Sequence, residues 1–249
     1  MTIFYAILAI MLSALFGYLF GSIPNGVIIG KIFYHKDPRQ LGSKNSGGTN
    51  VGRNFGLVAG ITVILLDAFK IIIPFLTTYF LFTRVAILKD LTFYSDEINA
   101  FGRGNTINQL AYYITPLFGV IGHCYSIYIK FSGGKAVSSY MGFCTGISWM
   151  AVPIFAISFF TTVKIDKHVS TASIVSTAIF TFISWVIYFI FIFCGVKIAN
   201  YFTYFELGPE VCIYFPIEVT IAFIIIVIRH KQNLKKLKEG KESKAFWLK

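Results

Sequence analysis

MTIFYAILAIMLSALFGYLFGSIPNGVIIG, residues 1–30, contains no charged side chain. A helix crosses a hydrocarbon core of about 30 Å with roughly 20 apolar residues. This opening stretch therefore reads as a membrane span. It lacks a basic start and runs apolar too long to be a cleavable signal peptide. The same signature recurs downstream. Residues 137–163 and 169–196 are uncharged, and Arg103 and Lys130 bound another uncharged stretch. Residues 57–83 hold only Asp67 and Lys70, and 211–228 only Glu218. Runs this long favour helices over barrel strands, which alternate over about ten residues.

Composition agrees with a lipid-embedded chain. Of 249 residues, 56% are hydrophobic and 13% charged, against about a quarter charged in soluble domains; mean hydropathy is +0.71. Disorder, a coiled coil and a disulfide scaffold are excluded. Cys124, Cys144, Cys194 and Cys212 stand apart with no CxxC spacing, so no metal set and no cofactor are read from them. The net charge of +11 would suggest nucleic acid on a soluble domain. On a membrane protein it is what cytoplasmic loops supply, and no nucleic-acid partner is expected.

The bases set orientation. Lys31, Lys36, Arg39, Lys44 and Arg53 crowd the first loop, and Arg229, Lys231, Lys235, Lys236, Lys238, Lys241, Lys244 and Lys249 the tail, so both are placed in the cytoplasm. Residues 84–103 balance bases with acids and read as external, as do 197–210. Six spans would put the first loop and the tail on opposite sides. As one helix, residues 137–163 would measure about 40 Å; Gly146 and Pro153 interrupt them. They are read as two short, tilted helices. The expected fold is an all-α polytopic membrane protein with seven transmembrane segments, some short or tilted, N-terminus outside and C-terminus cytoplasmic. It forms one integral membrane domain over 1–249, with a basic cytoplasmic tail at 230–249. Leu234, Leu237, Phe246, Trp247 and Leu248 suit a tail lying on anionic lipid.

Three segments of the predicted cytoplasmic face carry chemistry. GSIPNG at 21–26 leads to LGSKNSGGTNVGRNFG at 41–56, where glycines permit close backbone approach and Ser43, Asn45, Thr49, Asn50 and Arg53 supply polar groups. Arg53 suits a phosphate; the alternative is a flexible connecting loop. GHCYSIYIKFSGGKAVSS at 122–139 places Gly133, Gly134 and Lys135 before a helix, an anion site or a capped helix with a snorkelling lysine. His123 reads as a satisfied interfacial histidine. RHKQN at 229–233 puts His230 and Asn233 on one helical face. Together the three favour a phosphate-bearing substrate beside lipid. Asp67 and Lys70, three apart, read as a structural pair inside the bundle.

These strings resemble the bacterial membrane acyl-phosphate:glycerol-3-phosphate acyltransferases, over most of the chain from Gly21 to about Glu242. GSIP at 21–24, GSKNSGGTNVGRNFG at 42–56, DAFK at 67–70, GHCYSIYIKFSGGKAVSS at 122–139 and RHKQNLKKLKEGKE at 229–242 follow that family's motifs in order. The resemblance implies a seven-span enzyme of the bacterial cell membrane. It would move a fatty acyl group from acyl phosphate to the 1-hydroxyl of glycerol 3-phosphate at its cytoplasmic face, giving lysophosphatidate and phosphate for phospholipid synthesis. It implies functional roles for Ser43, Arg53, His230 and Asn233 and for the Gly133–Gly134–Lys135 loop, and a structural one for Glu242. Lys44, Gly48, Ile71, Ser126, Ser132 and Ala136 stand where the family usually has Gly, Ala, Gly, Pro, Lys and Gly. His230 is either a general base or a hydrogen-bonding positioner; the positioner, with the donor phosphate helping to take the proton, is preferred. Ser43 as a nucleophile stays open. The rival reading is a transporter or channel for an organic or phosphorylated anion, which should show internal repeats and midplane polar sites; no clear repeat is seen.

Overall fold

The computed structural model describes residues 2–85, 87–88, 98–99, 102–103, 106–194 and 213–247. Among the described residues are the α-helices α1 Thr2–Gly21, α2 Asn25–Tyr34, α3 Gly48–Phe55, α4 Leu57–Arg84, α5 Thr106–Cys124, α6 Val137–Ile147, α7 Ala151–Asp166, α8 Val169–Cys194, α9 Tyr214–Arg229 and α10 Lys231–Lys238, with short 3-10 turns at Pro38–Gln40 and Ile127–Ile129. Beside them lies one small antiparallel ladder, Ile98–Asn99 with Gly102–Arg103. Most of the acidic stretch expected outside, including Asp90, Asp96 and Glu97, and residues 197–210 lie outside the described residues.

Three stretches, Phe4–Tyr34, Leu57–Arg84 and Val169–Ile190, are long and apolar enough to cross a membrane. The first of these stretches takes in both α1 and α2, while α3 and α10 are short and flank the polar loops. Residues 137–163 form two helices, as their length demanded, with the break at 148–150 between Gly146 and Pro153.

Small residues let the helices touch. A Cβ on Gly17, Gly21 or Gly122 would collide with the backbone carbonyls of Thr115, Gly119 or Tyr18, so α1 and α5 meet backbone to backbone. Hydroxyls add cross-links: Thr78 to Thr115 at 3.1 Å, Tyr140 to Thr181 at 2.7 Å, and Trp185 Nε1 donating to Thr220 at 3.0 Å. Phe75, Tyr113, Tyr140, Phe143, Phe180 and Phe215 fill the centre of the bundle.

Below this bundle α3 turns back onto α4 through Gly56 at φ +103, a conformation open to glycine. Gly48 and Gly52 then press α3 against Gly60 of α4. Part of the tail expected on lipid packs against the protein. After Gly240 it folds back: the Ala245 N–H donates to the Lys167 carbonyl at 2.8 Å, Ala245 is buried beside Val163 and Ala172, and the Phe246 ring sits against Gly52. Ala245 and Phe246 thus pack on protein, while Trp247 stays exposed. Leu248 lies outside the described residues.

Candidate active site

Three helix N-termini converge beneath the bundle on a cavity of about 340 Å³: residues 47–49 at α3, 136–138 at α6, and Val169 and Ser170 at α8. Gly47 and Ala136, which precede α3 and α6, make no side-chain cap. First-turn N–H groups and the helix dipole therefore favour an anion here. Arg53, Lys135, His230, Asn233, Glu242, Ser43, Asn45 and Thr49 line the same space. The rest of the lining is apolar, with Ile64 of α4, Met141 of α6 and Val152, Phe155, Phe159 and Phe160 of α7. Phe155 and Phe159 stack with centroids 5.8 Å apart.

The electrostatics follow from burial. Desolvation pushes the Lys135 ammonium down to about 8, and the Glu242 carboxylate opposes that shift. Burial, with Lys135 next, holds His230 down at about 4, so its ring is neutral near pH 7. Nδ1 of His230 lies 2.8 Å from the Ile226 carbonyl. A carbonyl can only accept, so Nδ1 carries the proton and Nε2 is left as an acceptor. Asn233 Nδ2 and Ser170 Oγ both donate to Glu242 Oε1, at 2.6 and 2.7 Å.

The family model described as glycerol-3-phosphate acyltransferase matches residues 11–240. The chain belongs to that family. It is 35% identical over 244 residues to the glycerol-3-phosphate acyltransferase of Staphylococcus aureus strain Newman, covering 96% of this chain and 99% of the relative. The S. aureus strain JH9 protein is equally similar. Among solved structures, an integral membrane glycerol 3-phosphate acyltransferase, PlsY (YgiH), matches in its glycerol 3-phosphate form with TM-score 0.65, 24% identity and 94% coverage of both chains. Its lysophosphatidic acid form matches with TM-score 0.63. At that identity the likeness is one of fold.

Within this acyltransferase scaffold the sequence-derived residues sort by what they touch. Ser43, Asn45, Thr49, Arg53, Lys135, His230 and Asn233 meet at one cavity. Asn50 also borders it, but its polar groups are spent on the loop. Its Nδ2 reaches the carbonyls of Pro38, Leu41 and Asn45 at 2.8–3.2 Å, and its Oδ1 accepts from Ser43 N and Asn54 Nδ2. Asn50 is thus the internal tie of loop 38–45 rather than a free ligand-binding group. Gly133 and Gly134 lie outside the cavity wall. Their N–H groups cap the Cys124 and His123 carbonyls at 3.1 and 3.0 Å. Their carbonyls accept from Arg229 at 2.9 and 3.1 Å. They aim Lys135 and spend no N–H on an anion. Asp67 and Lys70 pair at 2.9 Å, both buried.

Sequence reasoning missed the apolar wall from α7, Ser170, and His123, which borders this cavity. The four-residue recurrence of Phe155 and Phe159 on one face of α7 was the signal available for the first.

The departures from the family pattern have local accounts. Lys44 and Ala136, standing where glycine is usual, keep left-handed backbones at φ +56 and +61. The Ser126 hydroxyl donates to the Ser22 carbonyl. Ile71 packs against Gly119, and Ile64 against Gly48. Ser132 is exposed, and nothing in the structure explains its exchange for lysine.

Proposed function

We propose that this protein transfers a fatty acyl group from acyl phosphate to the 1-hydroxyl of glycerol 3-phosphate, at the cytoplasmic end of a seven-span bundle. One observation carries the reading: a single cavity joins a cationic, N-terminus-lined end to an apolar arm walled by α7. The first end suits two phosphates; the second suits an alkyl chain.

Acyl phosphate is a mixed anhydride with a good leaving group, so positioning and charge neutralisation carry most of the catalysis. Arg53, Lys135 and the N-terminal N–H groups of α3 and α6 hold phosphate oxygens. The glycerol 1-hydroxyl donates to the neutral Nε2 of His230 while its oxygen attacks the acyl carbonyl carbon. The C–O bond to phosphate breaks, and the leaving phosphate takes the hydroxyl proton. Asn233, braced by Glu242, and Ser43 orient the reacting groups. No acyl-enzyme is required. Anionic lipid beside the tail lysines is part of the same proposal.

Purified protein supplied with acyl phosphate and labelled glycerol 3-phosphate should yield labelled lysophosphatidate and free phosphate, and acyl-CoA as sole donor should not. No product with acyl phosphate overturns the reading, and product from acyl-CoA alone overturns the donor assignment. Side-specific labelling at residues 164–168 tests the topology: modification from the cytoplasm is expected, and modification from outside refutes the seven-segment parity.

A further inference from the structure

His123 lies between two cavities and lines both. Below its ring is a small buried space of about 10 Å³, bordered by Ser22, Asn25, Asp67 and Lys70. That is the room one water occupies. His123 Nδ1 and Ser22 Oγ are both fully buried there with no hydrogen-bond partner. Nδ1 stands 3.8 Å from Asp67 Oδ1, beyond direct hydrogen-bond reach. The carboxylate itself is fixed by Lys70 Nζ at 2.9 Å and Asn25 Nδ2 at 3.0 Å. A water in that space would donate to Asp67 and would either accept from His123 Nδ1 or donate to it. Donation to Nδ1 leaves the ring proton on Nε2. That edge of the ring abuts Gly134, where a Cβ would strike Nε2, and His123 also borders the Lys135 cavity.

We infer that His123 is a further substrate-contacting residue, donating from Nε2 to a phosphate oxygen in the Lys135 cavity and held in that tautomer by Asp67 through one buried water. The ligand class, a phosphate monoester or acyl phosphate, rests on the proposed acyl transfer.

The test uses full-length protein in lipid nanodiscs. Histidine replaced by asparagine keeps a polar atom near Nδ1, and by glutamine one near Nε2. His123→Asn should raise KM for one of the two phosphate substrates about tenfold with a smaller change in kcat, and His123→Gln should recover most of that loss. Titrating each substrate separately identifies whose phosphate is held. Inorganic phosphate should raise the melting temperature of the wild type and of His123→Gln, and not of His123→Asn. Should His123→Asn fail to fold, ¹⁵N-histidine spectra of the wild type still decide, with a signal at Nε2–H that shifts on adding phosphate. An unchanged KM and intact phosphate protection in His123→Asn overturn the inference. Equal impairment of both folded variants, or an Nδ1–H tautomer, does so too. If the wild type binds phosphate through His123 yet makes no lysophosphatidate, acyl transfer fails and the phosphate contact stands.

Discussion

Asn233 Nδ2 donates to Glu242 Oε1 at 2.6 Å, and this contact ties α10, which begins directly after His230, to the returning tail. Ser170 of α8 donates to the same oxygen, so a single carboxylate ties three chain segments around the cavity. A hydrogen bond to a charged group is worth about 1.5–3 kcal/mol. Glu242→Gln keeps the size and removes the charge. The expected result is a fall in kcat/KM of about 10- to 100-fold and a lower melting temperature. Wild-type activity in a folded Glu242→Gln protein would deny the brace any role.

Lys135 gives a basic limb to the pH profile. Its folded value is about 8, set by burial and opposed by Glu242. An anion binds the protonated form better, so kcat/KM should fall as pH rises through about 8. Lys135→Arg, charged throughout, should lose that limb whatever its absolute rate. Glu242→Gln removes the group that raises Lys135, so its limb should move to lower pH. A profile flat to pH 9.5 in the wild type would contradict the assignment.

His230 gives the opposite expectation. Burial and Lys135 keep it neutral above about pH 4, so no limb near 6.5 should come from this ring. The ratio of wild-type to His230→Gln kcat/KM should therefore be constant between pH 5.5 and 7.5, which removes any titration of the substrates themselves. A ratio that bends near pH 6.5 would restore His230 as an ordinary titrating base.

Ala136 at φ +61 and Lys44 at φ +56 occupy left-handed backbone that costs an L-residue roughly 1–2 kcal/mol. Glycine escapes that cost and loses part of it again to its freer unfolded chain. Ala136→Gly and Lys44→Gly are each expected to raise the melting temperature by about 1–3 °C, with activity kept. Thermal melts of the two variants and their double decide it; a fall in both would mean these turns are not strained.

The helical bundle was legible because hydrocarbon penalises charge, so long apolar helices announce themselves as uncharged gaps. The split of 137–163 was legible because 27 residues fit one span poorly. Arg53, Lys135, His230 and Asn233 were legible as polar strings on one predicted face, and the structure brings them to one cavity. What stayed hidden depends on where a polar group spends its hydrogen bonds. Asn50 and Asn45 look alike in the chain; only folding shows that the amide of Asn50 is consumed by loop carbonyls. The glycines before Lys135 read as N–H donors to an anion, and the carbonyls at the end of α5 take those donors instead. Phe246 reads as lipid-seeking, since nothing local reveals the bare surface that Gly52 offers it.

Asp67 and Lys70 are the buried charges whose removal should expose coupling most clearly. Lys70 Nζ also donates to the Ile23 carbonyl at 2.7 Å, and Asp67 accepts from Asn25, so the pair ties the GSIPNG turn to α4. Breaking one side of a buried pair leaves an uncompensated charge and costs about 3–5 kcal/mol, while replacing both partners removes the charges together. Lys70→Met alone should therefore lower the melting temperature by on the order of 10 °C. Asp67→Asn with Lys70→Met should lose less than Lys70→Met alone, because the neutral amide keeps an acceptor for Asn25 and strands no charge. The sign of the coupling is the measurement. Additive losses across the four proteins would mean that the two charges do not sense each other, and the turn at 21–26 would then have to be held by packing alone.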